Sequence, residues 1–281
     1  MIHIIYHGYF SFTIHKVVAD FTKTCGKVLA KAHTDYALEH VGGKLRAVDL
    51  KGDPRPSKIL FFDKDIRLAR ALAEEVPVYN SPRSIEIADD KLLTWEALAG
   101  HVPMIDTIPG PFHYKSAAPK EDFLRYVEKR FGYPMVVKAA KGSFGEQVFL
   151  AENRDELVTL AENFGSADYL LQRYVKEAKG VDKRVIVVGD EILGAIERRN
   201  PMDFRANIDL GGSARPVSLT EEESAMALKA HRLLGLTFSG IDLIQSKDGP
   251  LLVEVNSNMS YLGFQRATGI DVTKKILRAV E

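Results

Sequence analysis

Two apolar segments near the end of the chain carry three side chains with oxygen donors, Asp242, Glu254 and Asn256. An Asp-Gly pair in the short loop between the segments is typical of a β-hairpin. If the loop centres on Asp248, Asp242 lies opposite Glu254, with Cβ atoms about 5 Å apart. Two opposed carboxylates repel each other, and a divalent cation between them removes the repulsion. Carboxylate and amide oxygens suit Mg²⁺, so the pattern predicts a metal site. The alternative is a solvated edge hairpin whose register is shifted by a bulge.

A lysine followed by a glycine loop lies near the middle of the chain. Lys138 stands at the end of an apolar strand, shortly before a turn that contains Gly142, Ser143 and Gly145. Glycines let backbone N–H groups approach phosphate oxygens, and a lysine supplies a point charge on a flexible stem. This is not a P-loop, in which GxxxxGK[ST] leads into a helix, because a strand follows here. The segment predicts a phosphate cover or, as the alternative, a plain hairpin turn.

The apolar strand over 169–175 turns polar towards its end. Its last four residues are Gln172, Arg173, Tyr174 and Val175. A strand that breaks into a loop leaves backbone donors and acceptors for the edge of an adenine ring. A carboxylate a few residues later, Asp182, can bind ribose hydroxyls. The spacing permits a nucleoside site without requiring one.

Arginines follow on the next strand and in the loop after it. Strand alternation places Arg198 on the same face as three earlier residues, Ile192, Gly194 and Ile196. The loop 200–212 adds Arg205 and Asn207. Arginines in a cleft neutralise phosphate, bind a carboxylate or stabilise a tetrahedral oxyanion. A basic strand end on the surface is the alternative.

Residues 1–82 alternate short apolar runs with helix-like stretches. The runs that predict strands are 2–6, 27–32, 45–48, 58–62 and 76–79. Helices are predicted over 14–24 and 65–75. This alternation predicts a small α/β domain with a mainly parallel sheet. Prolines 77 and 82, with Asn80 and Ser81 between them, break the pattern, so a domain boundary is predicted there.

Residues 83–281 predict an α+β arrangement in two parts. The first part, 83–166, has predicted helices over 89–99, 121–130 and 155–164 and strands over 104–107, 135–139 and 147–151. The second part, 167–281, has predicted strands over 169–174, 183–188 and 191–199, a helix over 220–234 and the two strands of the acidic hairpin. The predicted fold class is therefore α/β in the N-terminal domain, followed by α+β.

Composition excludes several classes of protein. The 281 residues include 38 basic and 38 acidic side chains, so net charge gives no reason to expect nucleic acid or a membrane surface as a partner. No apolar run approaches the roughly 20 residues that span a bilayer. The single cysteine, Cys25, cannot form an internal disulfide, and a cytoplasmic location is expected. The N-terminal histidines His3, His7 and His15 form no zinc-type sequence pattern and are interpreted as structural or surface residues.

Taken in order, these motifs resemble the ATP-grasp superfamily and, within it, the RimK-type glutamate ligases. The resemblance runs from about Asn80 to the C-terminus and includes Lys91 at a helix start. It is closest over 189–191, 195–199, 203–207, 240–242 and 249–251. It implies that the N-terminal domain is followed by a two-lobed ATP-grasp fold.

The resemblance also implies a role for each motif. Lys91 and Lys138 contact the ATP phosphates, and the glycine loop with Gly142, Ser143 and Gly145 closes over them. Adenine lies against the hinge formed by Gln172, Arg173, Tyr174 and Val175, with ribose near Asp182. Arg205 and Asn207 hold the triphosphate. Asp242, Glu254 and Asn256 hold two Mg²⁺ ions, for which Mn²⁺ is a substitute.

The implied reaction activates a carboxylate. ATP and a carboxylic acid give an acyl phosphate and ADP, an amine attacks the acyl phosphate, and Arg198 stabilises the tetrahedral oxyanion. The implied substrates are a small-molecule or peptide carboxylate and an amine, and a homo-oligomer, either a dimer or a tetramer, is compatible with this class. Two other activities stay open, a phosphotransferase on the same fold and a nucleotide-binding regulatory protein without turnover.

Two segments depart from the family pattern. Arg173 stands where relatives commonly carry an acid, which leaves ATP binding intact because the hinge works largely through backbone groups. After Asn256, glutamate ligases of this type usually run through small residues and proline, whereas 257–263 reads Ser-Asn-Met-Ser-Tyr-Leu-Gly. This segment is expected beside the acceptor pocket, so the identity of the added group is left open.

Overall fold

The N-terminal part of the chain folds around a parallel sheet. The computed structural model describes residues 1–9, 12–142, 145–206 and 211–281. Its first elements are β1 (Ile2–Tyr6), α1 (Phe12–Thr24), β2 (Val28–Ala32), β3 (Tyr36–Val41), β4 (Lys44–Asp49), β5 (Lys58–Phe62), α2 (Ile66–Ala73), β6 (Val78–Tyr79) and α3 (Pro82–Asp89). The sheet has the order β2-β1-β5-β6, and every neighbouring pair is parallel. The prediction of a parallel α/β domain is confirmed.

One predicted strand lies outside this sheet. The segment 45–48 belongs to β4, which pairs antiparallel with β3 in a separate two-stranded ribbon. Gly42 and Gly43 form its two-residue turn with φ angles of 60° and 75°, which glycine adopts without steric cost. Placing this strand in the parallel sheet was wrong, because the Gly-Gly turn and β3 before it were overlooked.

The next part of the chain builds an antiparallel sheet. Its elements are α4 (Lys91–Leu98), β7 (Thr107–Pro109), α5 (Glu121–Phe131), β8 (Met135–Ala139), β9 (Val148–Ala151), α6 (Arg154–Phe164) and β10 (Tyr169–Arg173). The sheet order is β7-β10-β8-β9, and α5 and α6 share one buried apolar cluster with it. The strand predicted over 104–107 is displaced, since pairing with β10 begins only at Thr107 and Met104 bridges Leu252 instead.

The last part of the chain forms a second antiparallel sheet. Its elements are β11 (Val181–Val188), β12 (Glu191–Arg199), β13 (Ser213–Val217), α7 (Glu221–Leu233), β14 (Phe238–Ser246), β15 (Gly249–Asn256), α8 (Leu262–Thr268) and α9 (Val272–Ala279). The order is β13-β12-β11-β14-β15. Helix α7 covers one face, and α8 and α9 pack with the N-terminal sheet against the other face. Among the described residues, no helix is long and apolar enough to cross a membrane.

A buried asparagine connects the N-terminal part to this last sheet. Asn80 is fully buried, and its Oδ1 accepts hydrogen bonds from the backbone N–H groups of Thr237 (2.7 Å) and Phe238 (3.1 Å). Its Nδ2 donates to the carbonyl of Ser257 at 3.0 Å. One apolar cluster also continues across both parts of the chain. The division of the chain at 82 and 166 therefore stays a prediction.

The buried His231 of α7, hydrogen-bonded to Ser239 of β14, should make the stability of the protein depend on pH. Burial lowers its pKa to about 4 from the ordinary 6.5. The unfolded chain therefore binds the extra proton between pH 6.5 and 4, so stability is lost as pH falls through this range, by roughly 3 kcal/mol in full. We expect His231→Gln to flatten this part of the curve of unfolding free energy against pH, measured by urea denaturation. The control is His101→Gln at an exposed histidine, and equal slopes for both variants would contradict the expectation.

Candidate active site

The acidic hairpin has the predicted pairing of Asp242 with Glu254, but its turn differs from the predicted one and the strand contains a bulge. Asp242 lies directly opposite Glu254. The turn, however, closes Ser246 against Gly249, so a regular ladder would place Val253 opposite Asp242. The register shifts by one residue after Asp242, which makes Val253 an inserted bulge residue. The predicted opposition is confirmed, while the predicted loop centre is wrong; the bulge turns Glu254 to face Asp242.

Two arginines hold the carboxylate of Asp242. Arg184 donates to both of its oxygens, at 2.7 and 2.6 Å, and Arg198 Nη2 lies 3.0 Å from Oδ2. Arg198 in turn donates to both oxygens of Asp182, at 2.7 and 2.5 Å. The four side chains alternate in charge across three adjacent strands. The repulsion expected between Asp242 and Glu254 is therefore already offset at Asp242 by arginines.

Burial and charge act oppositely on the two aspartates. Burial would raise the pKa of Asp242, but the guanidinium groups of Arg184 and Arg198 outweigh it and hold this pKa below its ordinary value. At Asp182 burial dominates and raises the pKa despite Arg198. A negative charge is therefore maintained more firmly on Asp242, the residue predicted to bind metal.

The other two predicted metal ligands lie at the more open rim of the hairpin. The Glu254 side chain is 30% exposed, and its Oε1 lies 3.9 Å from Lys91 Nζ. The Nδ2 of Asn256 is directed at the carbonyl of Gly240, 3.5 Å away, which turns Oδ1 away from that carbonyl. Carboxylate and amide oxygens at one rim fit a hard divalent cation, so these residues are suited to hold Mg²⁺.

A buried lysine faces this rim from the other sheet. Lys138 of β8 is 7% exposed. Burial lowers its pKa to about 8; Lys91 adds to the effect and Glu254 opposes it. A buried ammonium is costly, and a polyphosphate beside it would raise its pKa again. The position suits an anionic ligand.

Both ends of the glycine loop accept hydrogen bonds from predicted phosphate-binding side chains. Lys91 Nζ donates to the carbonyl of Gly142 at 3.2 Å, and Arg205 Nη1 donates to that of Gly145 at 2.6 Å. Arg205 is itself held by Asp203, at 2.7 and 3.0 Å. Two further predicted residues, Ser143 and Asn207, lie outside the described part of the chain.

The hinge contains an acceptor that fits a nucleobase. Gln172 is buried, and its Nε2 donates to Thr107 Oγ1 at 3.0 Å. Its Oε1 is buried, and no donor among the described residues bonds it. The Arg173 side chain turns outward to Asp106, 3.2 Å away. An exocyclic amino group such as that of adenine would satisfy the Gln172 oxygen.

One cleft of about 1170 Å³ collects these residues. Every predicted site residue that the structure describes lines it, including Tyr174, Val175 and Asp182. Arg184 and Lys64 also line it, and the sequence reading missed both. Strand parity would have found Arg184, since it stands two residues after Asp182 and pairs with Asp242. Lys64 lies in the N-terminal part, and no local pattern brings it here.

The face predicted for Arg198 needs one correction. Between β11 and β12 the register shifts, since Ile186 pairs with Gly194 but Val187 pairs with Ile192. Leu193 is therefore an extra residue in β12, and the β12 residues before it face the side opposite to the one that simple alternation predicts. Ile192 therefore packs with the α7 cluster, while Ile196 packs on the opposite face. Arg198 shares a face with Ile196 as predicted, and not with Ile192.

Gly180 is expected to be essential for positioning Arg205. Its φ is 66°, and an added Cβ would lie 2.2 Å from the carbonyl oxygen of Asn200 and 2.7 Å from that of Asp203. Gly180→Ala should therefore displace the loop before Arg205, lowering both the thermal unfolding midpoint and ATP affinity. The control is Gly132→Ala, where φ is 65° and nothing lies within 4 Å, with an expected cost of about 1–2 kcal/mol. Equal effects of the two variants would contradict the clash.

Solved structures share this fold over nearly the whole chain. A RimK domain ATP-grasp protein from Sphaerobacter thermophilus superposes with a TM-score of 0.74 at 17% identity, covering 99% of each chain. A D-alanine–D-alanine ligase from Bacillus anthracis, complexed with ATP, gives a TM-score of 0.73 at 17% identity and covers 99% of this chain and 95% of that one. The fold is an ATP-grasp fold.

Sequence comparison places the chain within this class. The model of the RimK-like ATP-grasp domain matches residues 88–280. A ribosomal protein bS6–L-glutamate ligase from Shigella boydii is 36% identical over 208 residues, 72% of this chain and 66% of that protein. A probable alpha-L-glutamate ligase 2 from Shewanella denitrificans is 43% identical over 153 residues, 53% of this chain and 51% of that protein. The matches thus span about half to two thirds of these relatives. The chain belongs to the RimK-like ATP-grasp family.

Proposed function

We propose that the protein is an ATP- and Mg²⁺-dependent ligase that joins a carboxylate, through an acyl phosphate, to an amine. The observation that carries this proposal is Arg198, a buried arginine beside the predicted metal ligands. Its Nε and Nη2 groups are taken by Asp182 and Asp242. Among the described residues no hydrogen bond or ion pair engages Nη1, which leaves its two N–H donors for a substrate oxygen. Nucleotide binding without turnover does not require such a group.

Phosphoryl transfer is the first step of the proposed reaction. A carboxylate oxygen attacks the γ-phosphorus, ADP leaves, and an acyl phosphate forms. Lys138 and Arg205 neutralise charge on the transferring group, and the glycine loop excludes water. Two Mg²⁺ ions, or Mn²⁺ in their place, held by Asp242, Glu254 and Asn256 would supply further charge neutralisation.

Amine attack is the second step. The nitrogen adds to the acyl carbon, and the negative charge that develops on the carbonyl oxygen is met by Arg198 Nη1. Collapse of this intermediate forms the amide and expels inorganic phosphate, which takes up the proton lost from the nitrogen. One well-placed donor of this kind is worth about 3 kcal/mol in the transition state.

The names of the relatives indicate which substrates to test first. Two are called L-glutamate ligases, and one solved ATP-grasp ligase, PsnB, is complexed with a precursor peptide. We therefore propose an amino acid as the amine and a peptide or small molecule as the carboxylate. The segment after Asn256 lies in the cleft with Ser257, Asn258 and Ser260 and would contact the acceptor. A cytoplasmic reaction is proposed, where ATP is available.

The experiment measures ADP release across panels of carboxylates and amines, with mass spectrometry of the products. A ligase releases ADP only when both substrates are present, and the product mass equals their sum minus water. ADP release with a phosphorylated hydroxyl compound would identify a phosphotransferase. ATP binding with no ADP release under any pair would identify a regulatory protein.

A further inference from the structure

Three polar side chains meet at one edge of the N-terminal sheet. Tyr6, the last residue of β1, pairs with Ala32 at the end of β2 and with Phe62 at the end of β5. The next residue on each strand is His7, His33 and Asp63, respectively. The carboxyl edge of a parallel sheet is where such folds bind ligands.

The three side chains are close enough to share one ion. A nitrogen of each histidine and a carboxylate oxygen of Asp63 lie within 4.8 Å of one another. His33 Nδ1 lies 3.5 Å from Asp63 Oδ2, and the two imidazole rings have centroids 4.5 Å apart. Two ligands on a tetrahedral zinc ion lie about 3.3 Å apart, given bonds of about 2.0–2.1 Å. The separation of His33 Nδ1 and Asp63 Oδ2, 3.5 Å, already approaches this spacing, and the other separations, within 4.8 Å, must shorten by at most about 1.5 Å.

The Asp63 carboxylate has one satisfied and one unsatisfied oxygen. Oδ1 accepts hydrogen bonds from the backbone N–H groups of Lys64 (2.6 Å) and Asp65 (2.8 Å). The residue is only 3% exposed. Oδ2 is buried, and no hydrogen-bond donor among the described residues reaches it. A buried anionic oxygen without a donor is costly unless a cation binds it.

Protonation of His33 Nδ1 does not supply the donor that Asp63 Oδ2 lacks. The backbone N–H of Gly8 donates to His33 Nδ1 at 3.0 Å, so Nδ1 carries a lone pair. That lone pair lies near the unsatisfied oxygen of Asp63. If Nδ1 were protonated to serve Asp63, it would oppose the N–H of Gly8. A metal ion would accept an electron pair from Asp63 Oδ2 and, by displacing the N–H of Gly8, the lone pair of His33 Nδ1.

We propose that His7, His33 and Asp63 form a site for a divalent transition metal of the Zn²⁺ class, separate from the Mg²⁺ site. Two imidazoles and one carboxylate suit Zn²⁺, whereas Mg²⁺ prefers oxygen ligands alone. His7 and Asp63 also line the large cleft, so the remaining coordination positions face it. Use of this metal to hold a substrate carboxylate or amine rests on the proposed function; metal binding does not.

The test measures Zn²⁺ affinity by calorimetry in millimolar Mg²⁺, which competes for sites built from oxygen ligands alone, with Co²⁺ absorption as a second readout. We expect one equivalent of Zn²⁺ in the wild type. Asp63→Asn should weaken binding by on the order of 100-fold or more, because loss of even an outer-shell partner costs 10–100-fold. His33→Gln should weaken it similarly, while Glu254→Gln and His40→Gln, at an exposed histidine, should bind as the wild type does.

Asp63→Asn also separates metal loss from unfolding. Asparagine keeps an oxygen for the two backbone N–H groups and replaces the unsatisfied oxygen with a donor. The chelator-treated variant should therefore unfold at the same temperature as the chelator-treated wild type, or higher. Zn²⁺ binding that persists in Asp63→Asn and His33→Gln, or is absent from the wild type, overturns the proposal whether or not the protein proves to be a ligase.

Discussion

Glu254→Gln is expected to lower the rate of Mg²⁺-dependent ADP release by a factor on the order of 10³ or more while leaving the protein folded. The substitution keeps the size of the side chain and removes its charge from the rim that faces Asp242. Metal-assisted charge stabilisation is worth several kcal/mol, and each 1.4 kcal/mol is tenfold in rate. Because Glu254 is 30% exposed, the change should cost little stability.

The measurement compares ADP release over a Mg²⁺ titration for wild type and variant, with circular dichroism to confirm folding. Glu96→Gln is the matched control, since Glu96 is exposed on α4 and should behave as wild type. A Glu254→Gln enzyme with unchanged turnover and unchanged Mg²⁺ dependence would remove Glu254 from the metal site.

Arg198→Lys is expected to lower kcat by about 10²–10³-fold with a much smaller change in the KM for ATP. Lysine preserves the positive charge between Asp182 and Asp242 but lacks the planar fork that binds both carboxylates and leaves Nη1 free. Losing one oxyanion donor costs this amount in other enzymes. A change confined to kcat would indicate a role in the transition state rather than in nucleotide binding.

Retained charge makes this variant more informative than a neutral one. Removing the charge with Arg198→Met would leave two buried carboxylates with one fewer partner, at a cost of about 3–5 kcal/mol, so unfolding would obscure the kinetics. Arg199→Lys, at the neighbouring and 58% exposed arginine, is the control and should be fully active. An Arg198→Lys enzyme with the wild-type kcat would refute the oxyanion role.

The sequence predicted which residues line the cleft where charged residues and strand alternation act together. Asp242, Glu254 and Lys138 were found because charged residues interrupt otherwise apolar strands, and their order along the chain matched a known family. The opposition of Asp242 and Glu254 was predicted correctly, although it depends on a bulge at Val253. A bulge inserts a residue without a sequence signal of its own, so its position is not readable from alternation.

Other parts of the site depend on contacts distant in sequence. Arg184 compensates Asp242 because β11 and β14 are neighbours, which only the sheet order establishes. His7, His33 and Asp63 meet because three parallel strands end in register. Parallel strands are joined by long crossovers, so residues that meet in this way are widely spaced in sequence and form no compact motif. Local spacing alone led to the interpretation of His7 as a structural or surface residue, and the metal titration proposed above tests it.

The transfer of oxygen from the carboxylate to phosphate tests the proposed reaction most directly. The enzyme would be given a carboxylate labelled with ¹⁸O in both oxygens, the matching amine and ATP, and the inorganic phosphate would be analysed by mass spectrometry. An acyl phosphate predicts one ¹⁸O in each phosphate released and one in the amide. Formation of ADP and amide with no label in the phosphate would contradict carboxylate activation by phosphoryl transfer.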